Sequence, residues 1–273
     1  VTIFQKFLTL YKAKGVKSLS LFLVRRMFNY KPRSLSLLLT IVSKGRGIEI
    51  GGPSSIFSNE GIFPIYAHAE FLDNCNFQSN TLWNSDLQEG QFFNYHSSQK
   101  SGHQFIHDSV DLSLIKSNSY DFLLSSHVLE HIANPIKALE EWKRILTSKG
   151  YLILILPCKE GNFDHKRSDT TLEHLMDDFL KGTKEDDLTH LEEILRLHDL
   201  SRDSWAGSFE NFKSRAIDNV NNRSLHHHVF NQTTLSNLMV YLHMNVVKIT
   251  TIDLTHIVVI AQKNPKTSSG DAQ

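Results

Sequence analysis

The chain has 273 residues, 40% of them hydrophobic, and its 29 basic and 29 acidic side chains cancel. That much apolar material buries one sizeable core with room for an insertion, and the balanced charge argues against a nucleic-acid partner. Cys75 and Cys158 have no metal-ligand spacing, and there is no apolar run of about 18 residues and no leader-like segment, so the expectation is a cytoplasmic protein without disulfides or membrane spans.

Residues 1 to 48 hold ten Lys or Arg and no Asp or Glu. Leu19, Phe22, Leu23 and Met27, then Leu35, Leu38, Leu39 and Val42, recur at helical spacing on either side of Lys31-Pro32, which predicts two or three short helices over 1 to 45. Five strands are expected between 46 and 157. The first, Ile48 to Ile50, runs into the small-residue turn Gly51-Gly52-Pro53-Ser54-Ser55. A second ends at Asp73, and a third precedes His107-Asp108-Ser109. The apolar run Phe122 to Leu124 is followed by a helix whose apolar positions are Leu129, Ile132, Ile136, Leu139, Trp142 and Leu146, stopped by Lys149-Gly150. The run Tyr151 to Leu156 then ends at Pro157. A strand, a helix and a doubly buried strand form the unit of a parallel sheet. Residues 158 to 232 break this alternation. They are charged and histidine-rich, with helices expected over His174 to Leu180 and Glu185 to His198. A helix from Thr233 to Leu242 and strands from Val246 to Ile252 and His256 to Gln262 follow as a closing antiparallel pair. The segment from Lys263 to Gln273 has the composition of a disordered tail.

Leu129-Glu130-His131, Pro135, Leu139, Glu141, Arg144 and Leu146 stand at intervals that resemble the second half of class I S-adenosylmethionine (SAM) methyltransferases with a type 11-like domain. Glu49-Ile50-Gly51-Gly52-Pro53-Ser54-Ser55 looks like the family's E/D-x-G-x-G-x-G motif, with Pro53 and Ser55 in place of two glycines. The resemblance implies a Rossmann-like sheet of seven strands, SAM as cofactor, and methyl transfer as the activity. It implies that Glu49, Gly51 and Gly52 form the cofactor turn, that Asp73 holds the ribose, and that Asp108 and the Ser109 N–H meet the adenine. Residues 1 to 45 become a helical lid over that site. Contact with a membrane surface and a targeting role are the less favoured alternatives for this basic stretch.

The insertion after the fifth strand should carry what is specific to the acceptor, because ligands of open α/β sheets bind beyond the carboxyl ends of the strands. Phe163, Asp164, His165 and Arg167 fall there. His226, His228 and Phe230 resemble a His-x-His-Val-Phe element of some relatives. His165 is the favoured general base, with His228 and His127 as the further candidates, and three histidines favour an oxygen or nitrogen acceptor. The expected acceptor is a small metabolite or a glycan or lipid-linked precursor. No metal is expected, since neither HExxH nor a compact two-carboxylate-one-histidine motif is present. The competing reading is a catalytically silent SAM-fold module used for binding or assembly.

Overall fold

A computed structural model describes residues 34–96 and 100–265. The helices expected over 1 to 33, and with them most of the proposed lid, lie outside the described residues, as do residues 266–273. Eight strands form one sheet: β1 (Arg46–Ile50), β2 (Phe71–Asn76), β3 (Gly90–His96), β4 (Lys100–Ile106), β5 (Tyr120–Ser126), β6 (Leu146–Pro157), β7 (Met244–Ile252) and β8 (His256–Lys263). Their order is β3-β4-β2-β1-β5-β6-β8-β7. The five from β4 to β6 are parallel, whereas β3, at one edge, and β8 run antiparallel to their neighbours. Lys263 belongs to β8 and so is not part of the expected tail.

The apolar runs sort themselves by the two-residue period of a strand. In β6, Leu152, Leu154 and Leu156 enter one core, and Ile153 and Ile155 the other; in β5, Leu123 faces the first, and Phe122 and Leu124 the second. The first core is closed by helices α2 (Pro135–Ile145) and α7 (Gln232–Tyr241), with Trp142 and Leu238 fully buried. The second is covered by α1 (Ser34–Val42), through Leu35, Leu38 and Val42, and by the irregular segment that carries Phe57, Phe63 and Ile65. The described end of the predicted lid is thus a helix of the sheet's own core. In the insertion, α3 (Leu172–Lys181) extends the first predicted helix at both ends, α4 (Leu191–Leu197) is a shorter form of the second, and α5 (Phe209–Ile217) and α6 (Asn219–Asn222) were not foreseen.

Three further expectations need correction. The strand count is eight, because the connection from β2 to β4 is made by a loop and the extra strand β3, which buries Phe93 and Tyr95. The helix predicted from Leu129 begins at Pro135 after a single 3-10 turn at Leu129–His131. Proline disfavours helical geometry in the residue before it and suits the first turn, while the Asn134 side chain accepts from the Lys137 N–H as the cap. Finally, β2 does not end at Asp73 but runs on to Asn76, with Asp73 in register with Ile48 in the middle of β1.

Candidate active site

The chain reverses its direction of winding at β1, which has β2 on one side and β5 on the other; the ligand crevice of an open α/β sheet lies at the carboxyl ends of strands at such a point. The glycine turn sits there. Gly51 has φ +84°, and a Cβ on it would lie 2.4 Å from Val128 Cγ2, so no side chain fits between the turn and the segment after β5. Gly52 exchanges two hydrogen bonds with the Asn74 side chain: its N–H donates to Oδ1 and its carbonyl accepts from Nδ2, both at 3.0 Å. Glu49 is wholly buried beneath the turn. It accepts from the Ser54 N–H at 3.1 Å and the Tyr66 hydroxyl at 2.7 Å, and burial pushes its carboxyl up to about 7. Glu49 therefore shapes the turn from below. No α-helix follows the turn; Ser55–Phe57 is a single 3-10 turn.

Asp73 faces the other end of the sheet. Its carboxylate accepts from Arg46 Nη2 and the Tyr120 hydroxyl, both at 2.8 Å, and from the His103 N–H at 2.8 Å. Arg46 and Tyr120 begin β1 and β5, so they mark the amino ends of parallel strands, opposite the crevice. The strand-end position is held by Asn76. Its Oδ1 accepts from Asn74 Nδ2 at 2.6 Å and Gln104 Nε2 at 3.0 Å, giving a buried amide cluster under the crevice. Asp108 follows β4; one oxygen accepts from the Val110 N–H, and the other pairs with Arg223 at 2.9 Å. The Ser109 carbonyl accepts from Trp142 Nε1 at 2.9 Å.

The three candidate histidines have three separate sets of partners. His127 leaves β5 with φ 54°, its N–H held by the Ile155 carbonyl, and its side chain is 39% exposed. Its Nε2 is 3.0 Å from His256 Nδ1 and its Nδ1 3.7 Å from Glu130. His165 Nε2 pairs with Asp199 at 2.9 Å within the insertion. His228 is buried, with Nε2 3.3 Å from the Ala133 carbonyl, and burial, with His227 beside it, holds its ring well below the usual imidazole range.

Arg167, Asp164 and His226, which the sequence offered separately on the acceptor side, meet in one buried group. Arg167 is 4% exposed and reaches Asp164 at 3.1 Å and the His226 carbonyl at 2.8 Å. Burial works against the Asp164 charge, yet His226 and Arg167 outweigh it and hold the carboxyl down at about 2. His226 stands against His131, the third residue of Leu129-Glu130-His131, with ring centres 4.5 Å apart. Trp83, largely exposed, covers the His131 ring at 5.3 Å. These residues come from four distant segments; Asp164, Arg167, His226 and His131 each stand out in the sequence, whereas nothing there points to Trp83.

Residues 23–247 match the profile of a family described as a methyltransferase domain. The chain belongs to that family. It is an S-adenosylmethionine-dependent methyltransferase, and the glycine turn at the switch point, with no side chain to obstruct a ligand, fits that cofactor. No curated protein matches the chain. Among solved structures this methyltransferase is similar to an S-adenosylmethionine dependent methyltransferase from Mesorhizobium loti, at 10% identity over 84% of this chain and 96% of the other, with a TM-score of 0.49. It is also similar to one from Aquifex aeolicus (11% identity, 87% and 96% covered, TM-score 0.43) and to the N-methyltransferase NodS from Bradyrhizobium japonicum (12%, 85% and 94%, 0.43). Likenesses so distant leave the assignment to the family match. Among the described residues no helix is long and apolar enough to cross a membrane.

Proposed function

We propose that this methyltransferase acts on an oxygen or nitrogen atom of a small metabolite or of a glycan or lipid-linked precursor, with His127 taking the acceptor's proton. The observation that carries the reading is the position of His127: it stands at the carboxyl end of β5, one residue before the Val128 that packs against Gly51, with its ring partly open to solvent. When bound, the cofactor supplies a methyl group on a sulfonium sulfur, so an acceptor lone pair has only to be aligned with it. A hydroxyl or ammonium acceptor must also lose a proton, and imidazole titrates in the neutral range where that is useful. His256, 3.0 Å from its Nε2, orients the ring.

In this reading the Gly51 and Gly52 backbone, shaped by Glu49, and Asn76 hold the cofactor, with Asp108 and Ser109 at the neighbouring strand end. The contact of Asp108 with Arg223 closes that position and would open on binding. Asp73 is left out, because its oxygens serve Arg46, Tyr120 and His103. The exposed Trp83 on the rim supports an acceptor with a sugar ring or another flat apolar face. His228 positions, and His165, oriented by Asp199, is the comparison base.

Transfer from labelled cofactor to a panel of sugar nucleotides, lipid-linked sugars, and small alcohols and amines tests the acceptor class. His127→Asn should lower turnover by about 10²- to 10⁴-fold and remove the acidic limb of the pH profile, with cofactor affinity within about two-fold of the parent. Near-parent turnover of His127→Asn, with loss in His165→Asn, would hand the proton to His165. Methyl transfer confined to carbon or sulfur acceptors would end the oxygen-or-nitrogen reading.

A further inference from the structure

Among the described residues, Glu130 is the least explained charged group. It is completely buried, and neither carboxyl oxygen has a hydrogen-bond partner. A buried carboxyl without a partner costs free energy whether or not it is ionised. What surrounds it is imidazole. His131 Nε2 is 4.0 Å and His127 Nδ1 3.7 Å from Glu130 Oε1, and one ligand atom from each of Glu130, His131 and His226 falls in a set within 4.8 Å of one another. We propose that Glu130, His131 and His226 bind a divalent transition-metal ion of the zinc class.

The second layer of contacts supports this. His131 Nδ1 lies 3.2 Å from the Leu225 carbonyl, and His226 Nδ1 contacts Asp164 at 2.5 Å. A carbonyl and a carboxylate can only accept, so each Nδ1 carries its hydrogen and Nε2 is the nitrogen left to bind a metal once the ring gives up its other proton. Outer acceptors of this kind orient metal-bound histidines. Asp164 is itself held by Arg167 at 3.1 Å, so the support reaches into the insertion. Ligand atoms around one zinc ion stand about 3.3 Å apart at bond lengths near 2 Å, so side-chain movements of about 1 Å complete the set. Two histidines and one carboxylate leave a coordination position open, as catalytic zinc sites do. His127 and Trp83 stand on the solvent side, where that position would take a hydroxyl or carboxylate oxygen of the methyl acceptor. Only this last point rests on the proposed function; ion binding does not. No compact sequence motif marks this site, because its ligands lie at positions 130, 131 and 226.

A second group, His174, Asp178 and His228, is the competing site within the same region and serves as the control. Chelator-treated full-length protein is titrated with Co(II), followed by visible absorption, and with Zn(II), followed by calorimetry. The parent should bind one ion at the proposed site, Glu130→Gln and His131→Asn should each weaken binding by about 100-fold or more, and His174→Asn should bind like the parent. Glu130→Gln without metal should be at least as heat-stable as the parent, because it removes an unpaired buried acid. A parent that binds neither ion, parent-like binding by Glu130→Gln and His131→Asn, or loss of binding only in His174→Asn would each overturn the proposal. SAM binding, measured on the same samples, reports the methyltransferase reading separately.

Discussion

Glu49 and Gly51 divide the work of one turn between a charge and a missing side chain. Gly51 Cα must pass so close to Val128 that a methyl group has no room, and its φ is one that other residues adopt at a cost of about 1 kcal/mol or more. Gly51→Ala should therefore lower the melting temperature and weaken SAM binding together, since both depend on the same backbone path; scanning calorimetry with and without SAM measures the two. A Gly51→Ala protein that binds SAM like the parent would contradict the placement of the cofactor on this turn. Glu49 makes a pH-dependent contribution to stability. Its pKa is about 7 in the folded protein against an ordinary 4.5, so between these values the folded state keeps a proton that the unfolded chain has lost. The stability it contributes is complete below about pH 4.5 and is lost as pH rises through 7, on the order of 3 kcal/mol in all. Glu49→Gln has no such proton. Its urea midpoint should improve relative to the parent between pH 4.5 and 7.5, and a constant difference across that range would rule this out.

At the level of elements, α2 shows how a motif useful for recognition can have a structural cause. Arg144 makes two hydrogen bonds to Glu141 on its own helix, at 2.7 and 2.8 Å, and reaches the Leu112 and Ile115 carbonyls at 2.7 and 2.9 Å. Glu141 also accepts from the Leu112 N–H at 3.0 Å. The pair thus clamps the loop before β5 to the helix after it. Arg144→Ala should cost about 2 kcal/mol, mostly from carbonyls left with poorer partners, since the ion pair itself is partly exposed and screened. Chemical denaturation should register that loss while turnover at saturating substrates stays near the parent's. A fall in turnover without a fall in stability would place Arg144 in the chemistry instead.

Across the whole molecule the two ends of the parallel sheet have different tasks. The carboxyl ends carry the glycine turn, Asn76, Asp108 and His127. The amino ends are tied by Asp73, which joins β2 to Arg46 on β1, Tyr120 on β5 and the His103 N–H on β4. Asp73→Ala should lower stability by about 3 kcal/mol, because the buried Tyr120 hydroxyl and the strand N–H lose their acceptor. SAM affinity of the folded protein should stay within about two-fold, read by calorimetry at a temperature where the variant is native. A ten-fold weaker SAM affinity at unchanged stability would return Asp73 to the ribose.

The alternating unit from Tyr120 to Pro157, the glycine turn and the closing α7, β7 and β8 were legible in the sequence because apolar periodicity, caps and turn residues act over a few neighbours. The edge strand β3 was not, since its short run Gln91-Phe92-Phe93-Asn94-Tyr95 exposes Phe92 and buries Phe93 and Tyr95 only once β4 lies beside it. The spacing of acids along the chain placed Asp73 at the ribose; the register of β2 against β1 turned it to the far end. The same holds for the histidines. Their number was visible in the sequence, whereas the partners of His127, His165 and His228, and the meeting of Glu130 with His131 and His226, depend on segments up to 129 residues apart along the chain. By itself the sequence determined the family and the strongly periodic elements, which local forces build. Only the tertiary structure decided which polar side chains share a buried space, because that depends on how distant segments pack.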